Sequence, residues 1–341
     1  MFDPSAAAGH DSLFGLPSTP EDARVVVVPV PWEATVSYGS GTADGPAAIL
    51  KASRQVDLLD RETGRPYQAG IAMLPISSEV RRWSDDARRL ALPVIEAGGP
   101  GDDPGRRQAV AEVDALGGRL NGWVYDQVRR ILEAGKLPGL VGGDHSAPLG
   151  AIRAVAERHP GVGILHFDAH ADLRKAYEGL RWSHASIMYN VLAEVPGVSR
   201  LVQVGVRDYS DEEDEFIRAS AERVTTYFDA DLRRSLFEGE SWSRLALRIV
   251  ASLPREVYVS FDIDGLDPAL CPHTGTPVLG GLSFPETTTL LRLVAESGRR
   301  IVGFDLDEVA PDPAGGEWDG NVGARVLYKL IGFALVSQRP A

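Results

Sequence analysis

The chain has 341 residues, 44% of them hydrophobic, enough to build a sizeable core in one large domain or two ordinary ones. Its 48 acidic residues outnumber 35 basic ones, and the formal net charge of −13 argues against nucleic acid and anionic membranes as partners. A lone cysteine, Cys271, excludes an internal disulfide and any thiolate metal cluster, which fits a reducing cytoplasm.

Residues 1–21 mix Pro, Ser, Gly and Ala without a basic region followed by an apolar core. They read as an N-terminal arm suited to a subunit contact, not as a secretory signal. A strand is expected over Val25–Val30, followed by the loop Trp32–Tyr38, and a second strand over Gly70–Leu74. The stretch 78–118 is rich in charge and holds Gly98-Gly99-Pro100-Gly101 and Asp102-Asp103-Pro104-Gly105, which predicts a mobile surface excursion. Apolar residues at helical spacing over Trp123–Leu132 and Leu149–Val155 flank a strand at Leu137–Val141. Further apolar runs predict strands at Val162–Phe167, Leu201–Val206, Val257–Phe261 and Ile301–Leu306. Alternating strands and helices imply an α/β fold, with a mostly parallel central sheet covered by helices on both faces. With no repeat and no linker between separate cores, the expectation is one three-layer α/β/α domain over 1–341. No charge-free apolar run approaches the ~20 residues that a bilayer span requires.

Ligands of parallel sheets gather at the carboxyl ends of strands. Three of the expected strands end there in side chains that bind hard divalent metals. Leu140-Val141 leads into Gly142-Gly143-Asp144-His145-Ser146, whose glycines permit close backbone approach to a ligand. Val162–Phe167 leads into Asp168-Ala169-His170-Ala171-Asp172, where alternate side chains of an extended segment point to one side. Val257–Phe261 leads into Asp262-Ile263-Asp264-Gly265-Leu266-Asp267-Pro268. A capped turn is the competing reading for each; it suits Asp267, but paired acids at the end of a buried strand repel unless a cation neutralises them. Four carboxylates and two imidazoles exceed the closed tetrahedron of one structural zinc, so two metals are implied. Oxygen-rich mixed ligation favours manganese, with nickel or cobalt also able to bind.

With GGDHS at 142–146, FDAHAD at 167–172 and SFDIDGLDP at 260–268, the chain closely resembles the ureohydrolases, the superfamily of arginases and agmatinases. The resemblance runs from Val25 to the last helix and implies the arginase-like fold. It implies one manganese on His145, Asp168, Asp172 and Asp262 and another on Asp168, His170, Asp262 and Asp264, with Asp168 and Asp262 bridging. A water activated between them would attack a guanidinium carbon and release urea and an amine, with Asp172 orienting it. On its residues alone, Glu308 reads as a surface acid and His184 as a helix-start residue behind Ser183. The resemblance instead makes Glu308 the partner of the substrate guanidinium and His184 the proton shuttle to the leaving amine. Homo-oligomers, trimers or hexamers, are implied in the same way.

After Asp172 the chain runs Leu173-Arg174-Lys175-Ala176-Tyr177-Glu178-Gly179, without the Asn- and Thr-rich stretch with which arginases grip arginine. It is more similar to bacterial and archaeal agmatinases, so the leading expectation is conversion of agmatine to putrescine and urea. Two departures are the Trp32–Tyr38 loop and His273 before Thr274-Gly275-Thr276-Pro277. Bulk from these at a pocket mouth would suit a shorter substrate, which keeps a nickel-dependent guanidine hydrolase or a guanidino-acid hydrolase such as guanidinobutyrase as alternatives. From other classes, a single-zinc deacylase needs fewer acids, and a catalytically silent regulatory subunit generally loses ligands, whereas all six positions are present.

Overall fold

The computed structural model describes residues 2–4 and 9–339. Its eight strands are β1 (Val25–Pro29), β2 (Ile71–Met73), β3 (Leu137–Val141), β4 (Val162–Phe167), β5 (Val198–Val206), β6 (Val224–Phe228), β7 (Glu256–Phe261) and β8 (Arg300–Leu306). They form one sheet in the order β2-β1-β3-β8-β7-β4-β5-β6, and every pairing is parallel. β-branched runs suit central strands buried on both faces. Period-two alternation divides them: Val25 and Val27 enter one core, and Val26 and Val28 the other.

The first core is covered by α1 (Gly45–Ser53), α8 (Trp242–Ala251), α9 (Phe284–Glu296) and α10 (Trp318–Ser337). The second lies under α2 (Ser78–Ile95), α3 (Pro104–Glu133), α4 (Leu149–Arg158) and α5 (Ile187–Glu194). Two further helices, α6 (Asp211–Ala219) and α7 (Asp229–Phe237), lie towards the β6 edge. This is the expected α/β/α arrangement. No helix among the described residues is long and apolar enough to cross a membrane.

Two sequence expectations need correction. The stretch 78–118 is no surface excursion but α2 and the first half of α3. Its charges lie on the outer side, while Val80, Trp83, Ala87, Ala91 and Val94 recur at helical spacing and are buried. The Ser77 hydroxyl accepts from the Val80 N–H and Asp103 from the Arg106 N–H, so both helices start on side-chain caps. Between them Gly98 and Gly99 take positive φ, and the Gly99 N–H returns to the Val94 carbonyl at 2.9 Å, a glycine-dependent helix stop. The N-terminal stretch is not a free arm over its described length. Leu13, Phe14 and Leu16 are buried in the first core, the Phe14 N–H donates to Ser53 Oγ at 2.9 Å, and its ring meets Tyr328 edge-on. Residues 1 and 5–8 of that expected arm lie outside the described residues. The strand not foreseen is β6, an edge strand whose Thr225 and Thr226 are only half-buried.

In the sheet order, β3, β8, β7 and β4 are consecutive. The metal-type motifs and Glu308 follow those four strands, so the topology delivers them to one place.

Candidate metal centre

His145 follows β3 on a turn with no room for side chains: a Cβ on Gly143 would lie 1.7 Å from the Trp32 carbonyl oxygen, and one on Gly142 1.6 Å from Asp307 Oδ1. Buried Asp144 fixes the turn by accepting from the N–H groups of Ala34, Thr35 and Ser146. The His145 ring is oriented by a buried chain. Ser260 Oγ donates to Asp305 Oδ1 at 2.9 Å, so its lone pair receives the His145 Nε2–H at 3.0 Å. In the neutral ring that a metal requires, the free lone pair is then on Nδ1, which lies 3.1 Å from Asp168 Oδ2, 3.1 Å from Asp172 Oδ2 and 3.3 Å from Asp262 Oδ2.

A second group adjoins the first. His170 Nδ1 lies 3.3 Å from Asp168 Oδ1 and 3.0 Å from Asp264 Oδ2. Asp168 therefore offers one oxygen to each group. Asp262 and Asp264 are presented by a tight turn after β7, in which the Asp264 N–H donates to Asp262 Oδ1 at 2.8 Å and the Ala169 N–H to Asp264 Oδ1 at 3.0 Å. Convergence of the 168–172 trio is not that of a straight extended segment. Asp172 adopts φ 55°, and its carbonyl accepts from the Met188 and Tyr189 N–H groups, so a left-handed bend turns its carboxylate back towards His145.

All four carboxylates are buried. Burial and the Asp168 charge push Asp172 up to about 6, and burial with Asp264 and Asp168 holds Asp262 well above the usual carboxylate range. Such acids need protons or cations beside them. Hard oxygen donors, two imidazole nitrogens and a shared carboxylate fit a pair of divalent ions. Ligand-type atoms of Asp168, His170 and Asp264 all fall within 4.8 Å of one another, as do those of His145, His166, Asp168 and Asp172.

His184 begins a short turn ahead of α5. Thr35 holds it twice, accepting the His184 backbone N–H at 3.0 Å and meeting the ring Nδ1 at 3.0 Å. Burial and the adjacent His170 and His145 push it down to about 3, favouring neutral imidazole. His184, His170 and Asp172 line a cavity of about 270 Å³ with Tyr177, Arg174 and Asp208. Glu308 lies outside that lining. It follows β8 at φ 62°; Oε1 accepts the His145 N–H at 2.9 Å, while buried Oε2 has no hydrogen-bond partner among the described residues and stands beside Gly275.

The two departures expected to crowd the mouth reach it only through Ser37, Tyr38, Thr276 and Pro277, and not through Trp32 or His273. Trp32 is buried and donates to Ser146 Oγ at 3.1 Å. His273 turns to Asp319, 2.8 Å away, and Asp312. Of the Trp32–Tyr38 loop only Ser37 and Tyr38 reach the cavity. Thr35, Ser260 and His166 were missed by sequence reasoning. A signal existed for the last two, since each is a polar residue between apolar neighbours in a buried strand segment.

The Arginase family pattern matches residues 23–332. The chain belongs to the arginase family. The N(1)-aminopropylagmatine ureohydrolase of Thermus thermophilus is 33% identical over 324 residues, 94% of each chain. A guanidinopropionase of Pseudomonas aeruginosa is 30% identical, over 95% of this chain and 91% of its own. Among solved structures, the agmatine ureohydrolase of Thermoplasma volcanium superposes with a TM-score of 0.71 at 23% identity, over 97% of this chain and 95% of that one, a likeness of fold. As an arginase-family member the protein is a ureohydrolase, hydrolysing the amidino C–N bond of guanidino compounds.

Proposed function

We propose that this arginase-family protein uses two divalent ions, manganese in the first place, to hydrolyse a guanidino compound with a cationic tail: agmatine, or its N(1)-aminopropyl derivative. The observation that carries the reading is the split of Asp168 between two buried ligand groups that open onto one cavity. His145, Asp168, Asp172 and Asp262 would hold one ion and Asp168, His170, Asp262 and Asp264 the other. When bound, the ions neutralise the acids and acidify a water enough for attack near neutral pH. Glu308 Oε2, buried without a partner among the described residues, would accept from the guanidinium and turn its carbon to the water. Neutral His184, aimed by Thr35, would take a proton from the water and hand it to the departing amine as urea forms.

The tail is argued from charge and room. Glu213 at the cavity wall is satisfied by Leu173 and Ser210 and lies 3.5 Å from Arg174, which also stacks over Tyr177. Asp208 on the same wall is exposed and has no ion-pair partner among the described residues, leaving a negative charge for an ammonium. Free guanidine has no tail to fill a cavity of about 270 Å³, and a guanidino acid would bring a carboxylate towards Asp208. Urea release from agmatine, N(1)-aminopropylagmatine, guanidine, guanidinobutyrate, guanidinopropionate and arginine, with manganese and with nickel, is the test. Highest kcat/KM on guanidine, or on an acid-tailed substrate, overturns the substrate assignment.

A further inference from the structure

His166, buried within β4, has a chemical state that can be read from its neighbours. The side-chain amide of Gln203 on β5 faces the Ala171 carbonyl at 2.7 Å. A carbonyl accepts only, so the atom facing it is the amide nitrogen. The Gln203 oxygen then takes the Thr226 hydroxyl at 2.9 Å, as it must. The same nitrogen lies 3.0 Å from His166 Nδ1, which makes Nδ1 an acceptor and places the ring proton on Nε2. Nε2 is 2.8 Å from Asp168 Oδ2.

We propose that His166 is a positioning residue: through Gln203 it is locked as the Nε2–H tautomer, and that N–H holds the Asp168 carboxylate with one oxygen towards each ligand group. The inference rests on the two-ion reading of the site. His166 lies close enough to His145, Asp168 and Asp172 to be mistaken for a ligand, but a nitrogen carrying a proton has no lone pair for a metal. The chain from Thr226 through Gln203 and His166 crosses β6, β5 and β4, tying Asp168 to the sheet. Ala171, whose carbonyl sets the Gln203 amide, belongs to the same Asp168–Asp172 segment, so the motif fixes its own first ligand.

The readout is metal affinity, not turnover. Manganese titration by calorimetry or chelator competition should give two ions per wild-type chain, with affinity about 10- to 100-fold weaker in His166→Phe and recovered to within about threefold in His166→Gln, whose amide can place an N–H near the former Nε2. Gln203→Leu, which removes the tautomer lock and leaves the imidazole, should fall between them and keeps the proposal testable if His166→Phe does not fold. ¹⁵N-histidine NMR of metal-free protein should show one ring in a single Nε2–H tautomer, lost in Gln203→Leu. Wild-type protein that binds no metal overturns the two-ion reading itself. Two ions in wild type with unchanged affinity in His166→Phe, or an Nδ1–H tautomer, overturns the role of His166.

Discussion

Glu308→Gln is the most discriminating single substitution. Oε1 receives the His145 N–H at 2.9 Å, a bond the glutamine oxygen preserves, so the amide nitrogen must replace Oε2. Oε2 is the atom with no partner among the described residues, in a side chain only 3% exposed. A guanidinium N–H arriving there would meet another donor instead of an acceptor. Loss of one charge-assisted hydrogen bond in a buried setting amounts to about 2–3 kcal/mol. That corresponds to an about 30- to 150-fold fall in kcat/KM for urea release. The backbone at φ 62° makes the same demand on either residue, and none of the six proposed metal ligands is changed, so thermal melting and bound metal should match wild type. Initial rates over a substrate series, with metal content from elemental analysis of the same samples, make the measurement. A kcat/KM within about threefold of wild type would falsify guanidinium recognition by Glu308, and metal loss would move it into the metal-holding set.

Thr35→Val keeps the shape but deprives His184 of both bonds, to its backbone N–H and to Nδ1. Acid–base catalysis is worth about 10²–10⁴, so kcat should drop about tenfold with KM and metal content unchanged; an unchanged kcat would take His184 out of the proton path. Because burial and Asp168 raise Asp172 to about 6, a proton occupies that carboxyl below this pH and an incoming ion must displace it. Apparent manganese affinity should therefore fall by at least about tenfold per pH unit on going below 6, and since Asp262, His145 and His170 are also held above their usual ranges, the fall should begin above 6; calorimetric titrations giving a flat profile between about pH 5 and 8 would contradict this. Gly139→Ala would set a methyl 2.5 Å from the Phe304 ring paired with it across β3 and β8, costing about 1–3 kcal/mol. Equal melting temperatures would show that the ring can give way.

The parts of this molecule legible in its sequence are those that burial writes locally. Val25–Val30 and Val162–Phe167 announce strands because both faces of a central parallel strand are apolar, and their ends announce ligands because carboxylates there have no other reason to be paired. What local pattern does not carry is direction. Asp144 and the backbone it holds at Ala34 are 110 residues apart, and Glu308 and the His145 N–H it accepts are 163 apart. Trp32 and His273 therefore read as bulk at the cavity mouth, whereas their long-range bonds to Ser146 and Asp319 turn them away from it. The same limit hid α2 and the first half of α3, whose charged outer faces dominate the composition while in α2 Trp83 and Val94 decide the packing. It also explains β6, where an edge position asks for no apolar run. His166 and Ser260 are the instructive cases: a polar side chain buried within an apolar strand must be satisfied, and here each partner chain leads to a proposed metal ligand, Asp168 in one case and His145 in the other. A polar interruption of a buried strand that ends in carboxylates is therefore a sequence-level pointer to the groups that aim them.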